Sequence, residues 1–349
     1  MKVGKILLVE PGHRTSTIET FRGLADGFSQ NGVEVWEYGL NDRLDFFTKA
    51  MKYTGKSTDI TLVSEAATES IIVAAIQEKV DVILYITAQY VPPLIFNIIR
   101  ERLKIPQGII LTESPYMAAW EIKRLKVCNF AFTNEEACVE PYRKVNKKVF
   151  YVPVGYRQEI FERGDTIGNL AYDSDIFFVG TIFPERVVFL NKVCESLVHQ
   201  GLNIAIFGSN LKPEWTLPSF EYYWKDRVLE QEEYAKYLSR TKIALNLSRE
   251  HRTERNLHIV PISPNPRFFE IMSLGKFCLT EWREGLRKYG PGENFETFRT
   301  AKECVEKIKF YLEHEGIREQ IAQRGKRRVF RKENWQRRAE QMIEIMKRF

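Results

Sequence analysis

One carboxylate interrupts the apolar run "SPNPRFFEIMSLGKFCLT", Ser263 to Thr280, and that residue is Glu270. Among Phe268, Phe269, Ile271, Met272 and Leu274, an acid either lies on a single wet strip of its helix or accepts hydrogen bonds from a ligand's hydroxyl groups. An unpartnered buried charge is too expensive for a third choice. Other residues have the types that hold anions. "FFVGTIFPERVVFL" sets Gly180 and Thr181 at the end of a buried strand, with Arg186 in the first turn of a helix opening at Pro184. Such a turn offers free backbone N–H groups, the helix dipole assists, and a guanidinium can fork onto a diphosphate. A surface salt bridge is the alternative role for Arg186. "IFGSN" repeats the design with Gly208 at a strand end. "LNLSREHRTERN" puts Arg249, His251, Arg252 and Arg255 just past another strand, as a solvated basic loop or as a wall facing phosphates.

The elements that position these residues alternate throughout. Asn265 is a good helix N-cap, Pro266 suits the first helical position and Gly275 suits the stop. "KFCLT" then forms a short buried strand. Upstream, "KILLVE" is a buried strand; Ser16 and Glu19 have capping-box spacing, and Ile18, Phe21, Leu24, Ala25 and Phe28 form the stripe of the next helix. The strands "VEVWEYG", "DVILYIT", "GIILTES", "NFAFTN" and "VFYVPVG" follow, with helices expected near 64–78, 93–103, 115–125 and 135–144. The pattern lapses near 155–173 and resumes with "DIFFVG", a helix from 184 to about 201, "NIAIFG", a helix near 231–240, "KIALNLS" and a polar loop over 249–265. Residues 301–349 are helical and charged. Continuous apolar strands between helices imply parallel sheets covered on both faces. The fold class expected is therefore α/β, with two tandem Rossmann-like doubly wound domains and a cleft between them. Ligands of such sheets bind beyond the carboxyl ends of the strands.

Size and composition narrow the possibilities. The 349 residues suffice for two domains, and the net charge of +6 permits an anionic ligand, a membrane surface or nucleic acid without requiring any of them. Five scattered cysteines with no CxxC pair argue against a zinc site or disulfide framework and for a reducing compartment. The apolar start is too short for a signal peptide, and Glu78, Lys79, Asp81 and the Pro92–Pro93 pair break the most apolar region, so a cytoplasmic protein without a transmembrane segment is expected. Gly55-Lys56-Ser57 looks like the tail of a phosphate-binding P-loop, but Ala50 stands where its first glycine is needed. No GxGxxG follows the first strand, and HExxH and GxSxG are absent. The basic stretch "RGKRRVFRKENWQRR" is either a solvated face or a contact for an anionic acceptor. Aromatic residues do not interleave with the basic ones as on a single-strand platform.

From about 175 to 345, "FFVGTIFPERVVFL", "YLSRTKIALNLSRE" and "NPRFFEIMSLGKFCLTEWREGLRKYGPGENFETFRTAKECVEKIKFYL" resemble, in order, the C-terminal half of GT-B glycosyltransferases. The nearest resemblance is to the CgeB/YkvP-like group, related to glycosyltransferase group 1. The N-terminal half is similar more weakly, through "LTESPY". The resemblance implies an acceptor-side domain over 1–155, a connection over 156–173, a nucleotide-sugar-binding domain over 174–333 and a terminal helix over 334–349 that packs back on the first domain. It implies that Glu270 binds the ribose hydroxyls of a nucleotide-sugar donor, that Arg267 contacts phosphate or base, and that Gly180 and Thr181 approach the diphosphate. Trp282, Arg283, Glu284 and Gly285 are candidates for the sugar pocket wall or for packing. The expected co-substrate is a UDP-sugar, with no other cofactor. Many retaining members carry a second glutamate eight residues before the ribose one; here that position is Ile262, which leaves sugar contact and stereochemistry open.

Glycosyl transfer releases a nucleoside diphosphate anion, and the arginines at strand ends suggest that Arg186, Arg249 or Arg267 stabilises it without a metal. An inverting mechanism needs a base at the acceptor hydroxyl. His13 in "EPGHRT" and Glu113 in "TESPY" both lie beyond first-domain strands and are the candidates. The acceptor is left open among glycan, protein, lipid and DNA, with peripheral membrane contact allowed. Two other functions compete. One is a non-catalytic sugar-nucleotide binder or spore or assembly protein, suggested by the missing acid. The other is a phage-type nucleic-acid-modifying transferase, which would need a basic groove from Arg100, Arg102, Lys104, Lys123, Arg124 and Lys126.

Overall fold

The computed structural model describes residues 1–12, 17–55, 59–162, 173–209, 216–250 and 258–349. The chain divides into two compact units: Met1–Gly155 with His251–Ser263 and Trp335–Phe349, and Tyr156–Glu250 with Pro264–Asn334.

Unit 1 runs β1 (Lys5–Val9), α1 (Ile18–Gln30), β2 (Glu34–Tyr38), α2 (Leu40–Tyr53), α3 (Ile60–Thr68), α4 (Ser70–Gln77), β3 (Val82–Ile86), α5 (Pro93–Ile98), β4 (Gln107–Leu111), α6 (Ala118–Leu125), β5 (Phe130–Thr133), α7 (Val139–Arg143) and β6 (Val149–Tyr151). Its strands pair in parallel in the order β2-β1-β3-β4-β5-β6. Every residue of β3 and β4 is buried, as a parallel sheet covered on both faces requires. The chain leaves β1 toward the edge strand β2 and returns on the other side at β3. The switch in direction therefore falls between β1 and β3, where ligands of doubly wound sheets sit.

Several elements differ from expectation. The helix α2 was not foreseen; Leu40 and Leu44 are buried along one side of it, and Phe47 and Met51 pack on the same core. The single helix expected near 64–78 is two, meeting at Glu69. Together they form an Ile60–Gln77 stretch long and apolar enough to cross a membrane by length and composition. Val63, Ala67, Ile71 and Ala75 from it are nevertheless core residues of unit 1. The N-cap of α1 is Thr17, with no side-chain capping bond. Ser16, Lys56 and Ser57 lie outside the described residues.

The last helix, α15 (Trp335–Lys347), lies on α1. A methyl group added at Gly23 would fall 2.0 Å from Trp335 Cδ1, and one at Gly27 would fall 2.6 Å from the Trp335 carbonyl oxygen. The two glycines let the helices approach. Asn31 Nδ2 donates to the Gln336 carbonyl at 2.9 Å, and the Phe349 ring packs against Phe130 and Phe150.

Unit 2 runs α8 (Gln158–Phe161), β7 (Ser174–Val179), α9 (Pro184–Leu197), β8 (Ile204–Phe207), α10 (Pro218–Tyr223), β9 (Trp224–Lys225), α11 (Gln231–Ser239), β10 (Thr241–Asn246), α12 (Pro266–Ser273), β11 (Phe277–Glu281), β12 (Glu296–Phe298), α13 (Ala301–Glu313) and α14 (Glu315–Val329). Its parallel order, β12-β11-β10-β7-β8-β9, puts the switch between β7 and β10. The second domain expected over 174–333 is interrupted, because His251–Ser263 belongs to unit 1. The cause is visible at its described end: Ile259 joins the unit 1 core, and the buried Glu135 carboxylate accepts the N–H groups of Ile262 and Ser263 at 3.0 and 3.2 Å.

Candidate functional site

At the switch in unit 2, Arg186 folds back from the first turn of α9. Nη1 donates to the Thr181 carbonyl at 2.7 Å and Nη2 to the Leu247 carbonyl at 2.9 Å, tying the turn after β7 to the end of β10. The Arg186 and Arg249 guanidinium carbons lie 5.2 and 5.0 Å from the Phe183 ring centroid. Arg283 donates to the Arg249 carbonyl at 2.8 Å. Gly208 has φ +148°, and a methyl group on it would stand 1.9 Å from the Gly180 carbonyl oxygen. Only glycine lets the two strand-end turns come this close.

The expectation of free N–H groups in the Gly180 turn needs correction. Gly180 N–H donates to the Phe207 carbonyl at 3.1 Å and Ile182 N–H to the Ser209 carbonyl at 3.0 Å. The end of β8 has taken both, so these two N–H groups of the turn are not available to an anion. A further acid, Glu281 at the end of β11, was missed in the sequence. Burial raises its pKa, opposed by the Ser248 N–H and the nearby Arg283 and Arg186 charges.

Glu270 is positioned by the start of α12. Asn265 Oδ1 accepts the Phe268 N–H at 3.2 Å, while its Nδ2 donates to Asn246 Oδ1 at 2.9 Å, docking the helix start on the end of β10. One turn on, Glu270 is 2% exposed. Its carboxylate accepts from Arg267 Nη1 at 2.5 Å and from Gln231 Nε2, the first residue of α11, at 3.3 Å. The acid is thus no member of a wet strip. It lies between the first turns of two helices that both begin at the carboxyl edge of the sheet. The Arg267 side chain, 31% exposed, reaches from this pair toward water and lies 4.5 Å over the Tyr234 ring. Burial, and then the Glu270 charge, raise the Tyr234 phenol well above its ordinary pKa. Gly180, Thr181, Arg186, Gly208 and Arg249 gather at the strand ends, and Arg267 and Glu270 join them through the Asn265 cap.

In unit 1 the switch between β1 and β3 opens on a pocket of about 220 Å³ lined by Pro11, Thr17, Thr87, Gln89, Tyr90, Glu113 and Met117. Glu113 therefore stands where the sequence placed it, beyond a strand and facing a cavity. His13, the other candidate base, lies outside the described residues, as do His251, Arg252 and Arg255. Behind Glu113 is a buried acid that the sequence did not reveal. Glu121 accepts from the Ser114 hydroxyl at 2.7 Å and from the Tyr142 hydroxyl. Burial pushes its carboxyl up to about 7, against those two bonds.

Other charged features make contacts within the protein. Asp173-Ser174-Asp175 has the spacing of a metal-binding Asp-x-Asp triplet. It opens β7 at the opposite end from the switch, and its carboxylates pair with Arg240 and Lys242. Of the basic residues a nucleic-acid groove would need, Arg124 donates to the Val91 and Gln89 carbonyls and lies over Trp120. Arg100 is bonded to Asn97 and the Val127 carbonyl. Trp282 is flanked by the Arg287 and Arg299 guanidinium groups at 5.4 and 4.7 Å.

Two parallel α/β units with switch points of this kind make up the GT-B fold, and solved structures agree over nearly the whole chain. Sucrose-phosphate synthase from Thermosynechococcus elongatus is 12% identical, covering 99% of this chain and 98% of its own with a TM-score of 0.65. Anabaena HepE in complex with UDP is 11% identical, covering 99% and 100% with a TM-score of 0.67. The catalytic domain of starch synthase IV from Arabidopsis thaliana, bound to ADP and acarbose, is 10% identical, covering 98% of each chain with a TM-score of 0.69. Residues 186–344 match a family described as glycosyl transferase-like. No curated protein matches the sequence.

Proposed function

We propose that this chain is a glycosyltransferase that moves a sugar from a nucleotide-diphosphate-sugar donor to an acceptor hydroxyl, without a metal. The observation that carries it is Glu270: a carboxylate 2% exposed, held between the N-terminal turns of α11 and α12 at the ligand-binding edge of a doubly wound sheet. A diol such as that of ribose matches a carboxylate in that position, because each carboxylate oxygen can accept from more than one donor. The glycosyl transferase-like match over 186–344 includes this helix. The HepE and starch synthase IV structures contain UDP and ADP respectively, which supports a nucleotide donor and favours a UDP-sugar as the first to try.

The departing diphosphate gains negative charge, and fixed cations stabilise it best where water is excluded. Arg249 and Arg267 take this role, while Arg186, committed to two carbonyls, positions the turn beside them. On the acceptor side, Glu113 in the unit 1 pocket is the general base of an inverting transfer, accepting the hydroxyl proton as the new glycosidic bond forms. Thermal unfolding with UDP-, GDP-, dTDP-, ADP- and CMP-sugars tests the donor site. At about a hundredfold excess over Kd, a ligand of the native state adds about 2.7 kcal/mol. One nucleotide class is expected to raise Tm in the wild type and not in Glu270→Ala. No shift with any of them, for a folded protein, sinks the proposal.

A further inference from the structure

Two neighbouring helix faces of unit 1 meet water with an unusual share of apolar side chains. Phe46 and Tyr53 of α2, Ile60 and Leu62 of α3, and Val73 and Ile76 of α4 are 49–94% exposed. Other sides of the same helices carry Leu44, Val63, Ala67, Ile71 and Ala75 into the unit 1 core. The exposed set is therefore a second apolar side of helices that are already docked. The helices are adjacent: α2 packs on α3, and α4 continues α3 through Glu69, whose φ of −53° and ψ of −40° are helical. Singly scattered apolar residues need no explanation, but a patch of them bordered by charge marks a contact surface.

The charges on this surface sort by helix. On α2, Phe46, Lys49 and Tyr53 recur at spacings of three and four, with Lys52 beside them; Asp42 and Asp45 precede this stretch. On α3 and α4, Leu62, Glu65, Glu69, Val73 and Ile76 recur at three, four, four and three. One stripe is aromatic and basic, and the other is aliphatic and acidic. Lys49, Lys52, Glu65 and Glu69 are all exposed. Within one chain these four form no ion pair among the described residues.

An anionic lipid surface fits this pattern poorly. Glu65 and Glu69 stand in the middle of the aliphatic stripe, where such a surface repels them. A second copy of this chain fits it well. A twofold axis can lay α2 of each copy on α3 and α4 of the other. Lysines then meet glutamates twice, and aromatic rings meet aliphatic side chains twice, which is the self-complementarity an isologous contact requires.

We infer that unit 1 pairs with a second copy of this chain through the Phe46–Lys49–Tyr53 stripe of one copy and the Leu62–Glu65–Glu69–Val73 stripe of the other. The pairing does not depend on sugar transfer or on the nucleotide site. The test is sedimentation velocity on the full chain, from about 1 to 100 μM. The wild type is expected to form a dimer. Lys49→Glu with Lys52→Glu sets acid against acid at both contacts, and Glu65→Lys with Glu69→Lys sets base against base. Each double variant is expected to dimerise about a hundredfold more weakly. Mixed in equal amounts, the two variants regain opposite charges at both contacts and are expected to form a mixed dimer of wild-type strength. That recovery also shows that each variant is folded. The inference is overturned if the wild type is monomeric throughout this range, if either double variant dimerises as the wild type does, or if the mixture fails to pair. It is also overturned if the wild type binds phosphatidylglycerol vesicles through these residues as a monomer, which would give the surface to a membrane.

Discussion

At the carboxyl edge of the unit 2 sheet, four arginines (186, 249, 267 and 283) and two acids, Glu270 and Glu281, crowd the strand ends: Arg186 and Arg283 donate to backbone carbonyls, Arg267 to Glu270, Arg249 lies over Phe183, and Glu281 accepts the Ser248 N–H. At the matching edge of unit 1 the described pocket residues are Thr17, Thr87, Gln89, Tyr90, Glu113 and their apolar neighbours, and two buried acids, Glu121 and Glu135, stand behind the strand ends. Both sheets place their switch in the same way. What each edge can bind is set by the side chains that arrive there, and topology settles only where they arrive. Unit 2 holds its edge together with fixed charge. Unit 1 does so with a left-handed turn at Thr87 and Ala88 and with the Glu121 carboxyl, whose pKa burial raises to about 7.

The largest effect that would sharpen this contrast is in unit 2. Gly208→Ala puts a methyl group into the Gly180 carbonyl at a φ that L residues rarely adopt, and is expected to lower stability by about 4 kcal/mol, read from urea unfolding. A loss under about 1 kcal/mol would mean that the two turns can separate, and that the edge is not rigid. Next comes unit 1. The folded protein keeps the Glu121 proton up to about 7, against an ordinary value of 4.5. The stability this group adds is therefore full below pH 4.5 and is lost as pH rises toward 7, by up to about 3 kcal/mol. Glu121→Gln should remove most of that slope. A slope equal to that of the wild type would assign it to other groups, Glu281 first. The smallest effect is expected from Arg186→Met, which leaves the Thr181 and Leu247 carbonyls without their donor and costs about 2 kcal/mol, with a weaker nucleotide shift. Were the nucleotide shift to vanish while stability held, Arg186 would be a direct phosphate ligand instead.

How far these edges could be read in the sequence follows from where their partners lie. The start of α12 was legible because Asn265, Pro266 and Gly275 are local signals, and Glu270 stood out as the one acid in an apolar run. The pairing of Gly180 and Ile182 N–H groups with β8 was not legible, since the acceptors come from the next strand. Glu121 carries no local signal, because Ser114 and Tyr142, which hydrogen-bond it, are 7 and 21 residues away. The helix α2 escaped because Asp42, Arg43, Asp45 and Lys49 dilute a stripe of Leu40, Leu44, Phe47 and Met51. That stripe has helical spacing and would have revealed it. The Asp173–Asp175 triplet shows the reverse case: a local pattern whose meaning is set by Arg240 and Lys242 across the sheet.

The composition of unit 1 from Met1–Gly155, His251–Ser263 and Trp335–Phe349 has a consequence for biosynthesis. The glycine-bearing side of α1 leaves the ribosome some three hundred residues before Trp335, which at about 5–20 residues per second is a delay of about 15–60 s. During that interval the groove at Gly23 and Gly27 has no α15 to cover it. Unit 2, whose own segments end at Asn334, can complete its sheet first. The half of the chain that is made first is thus the half that finishes folding last, and a nascent chain stalled before residue 335 would present that bare groove to chaperones.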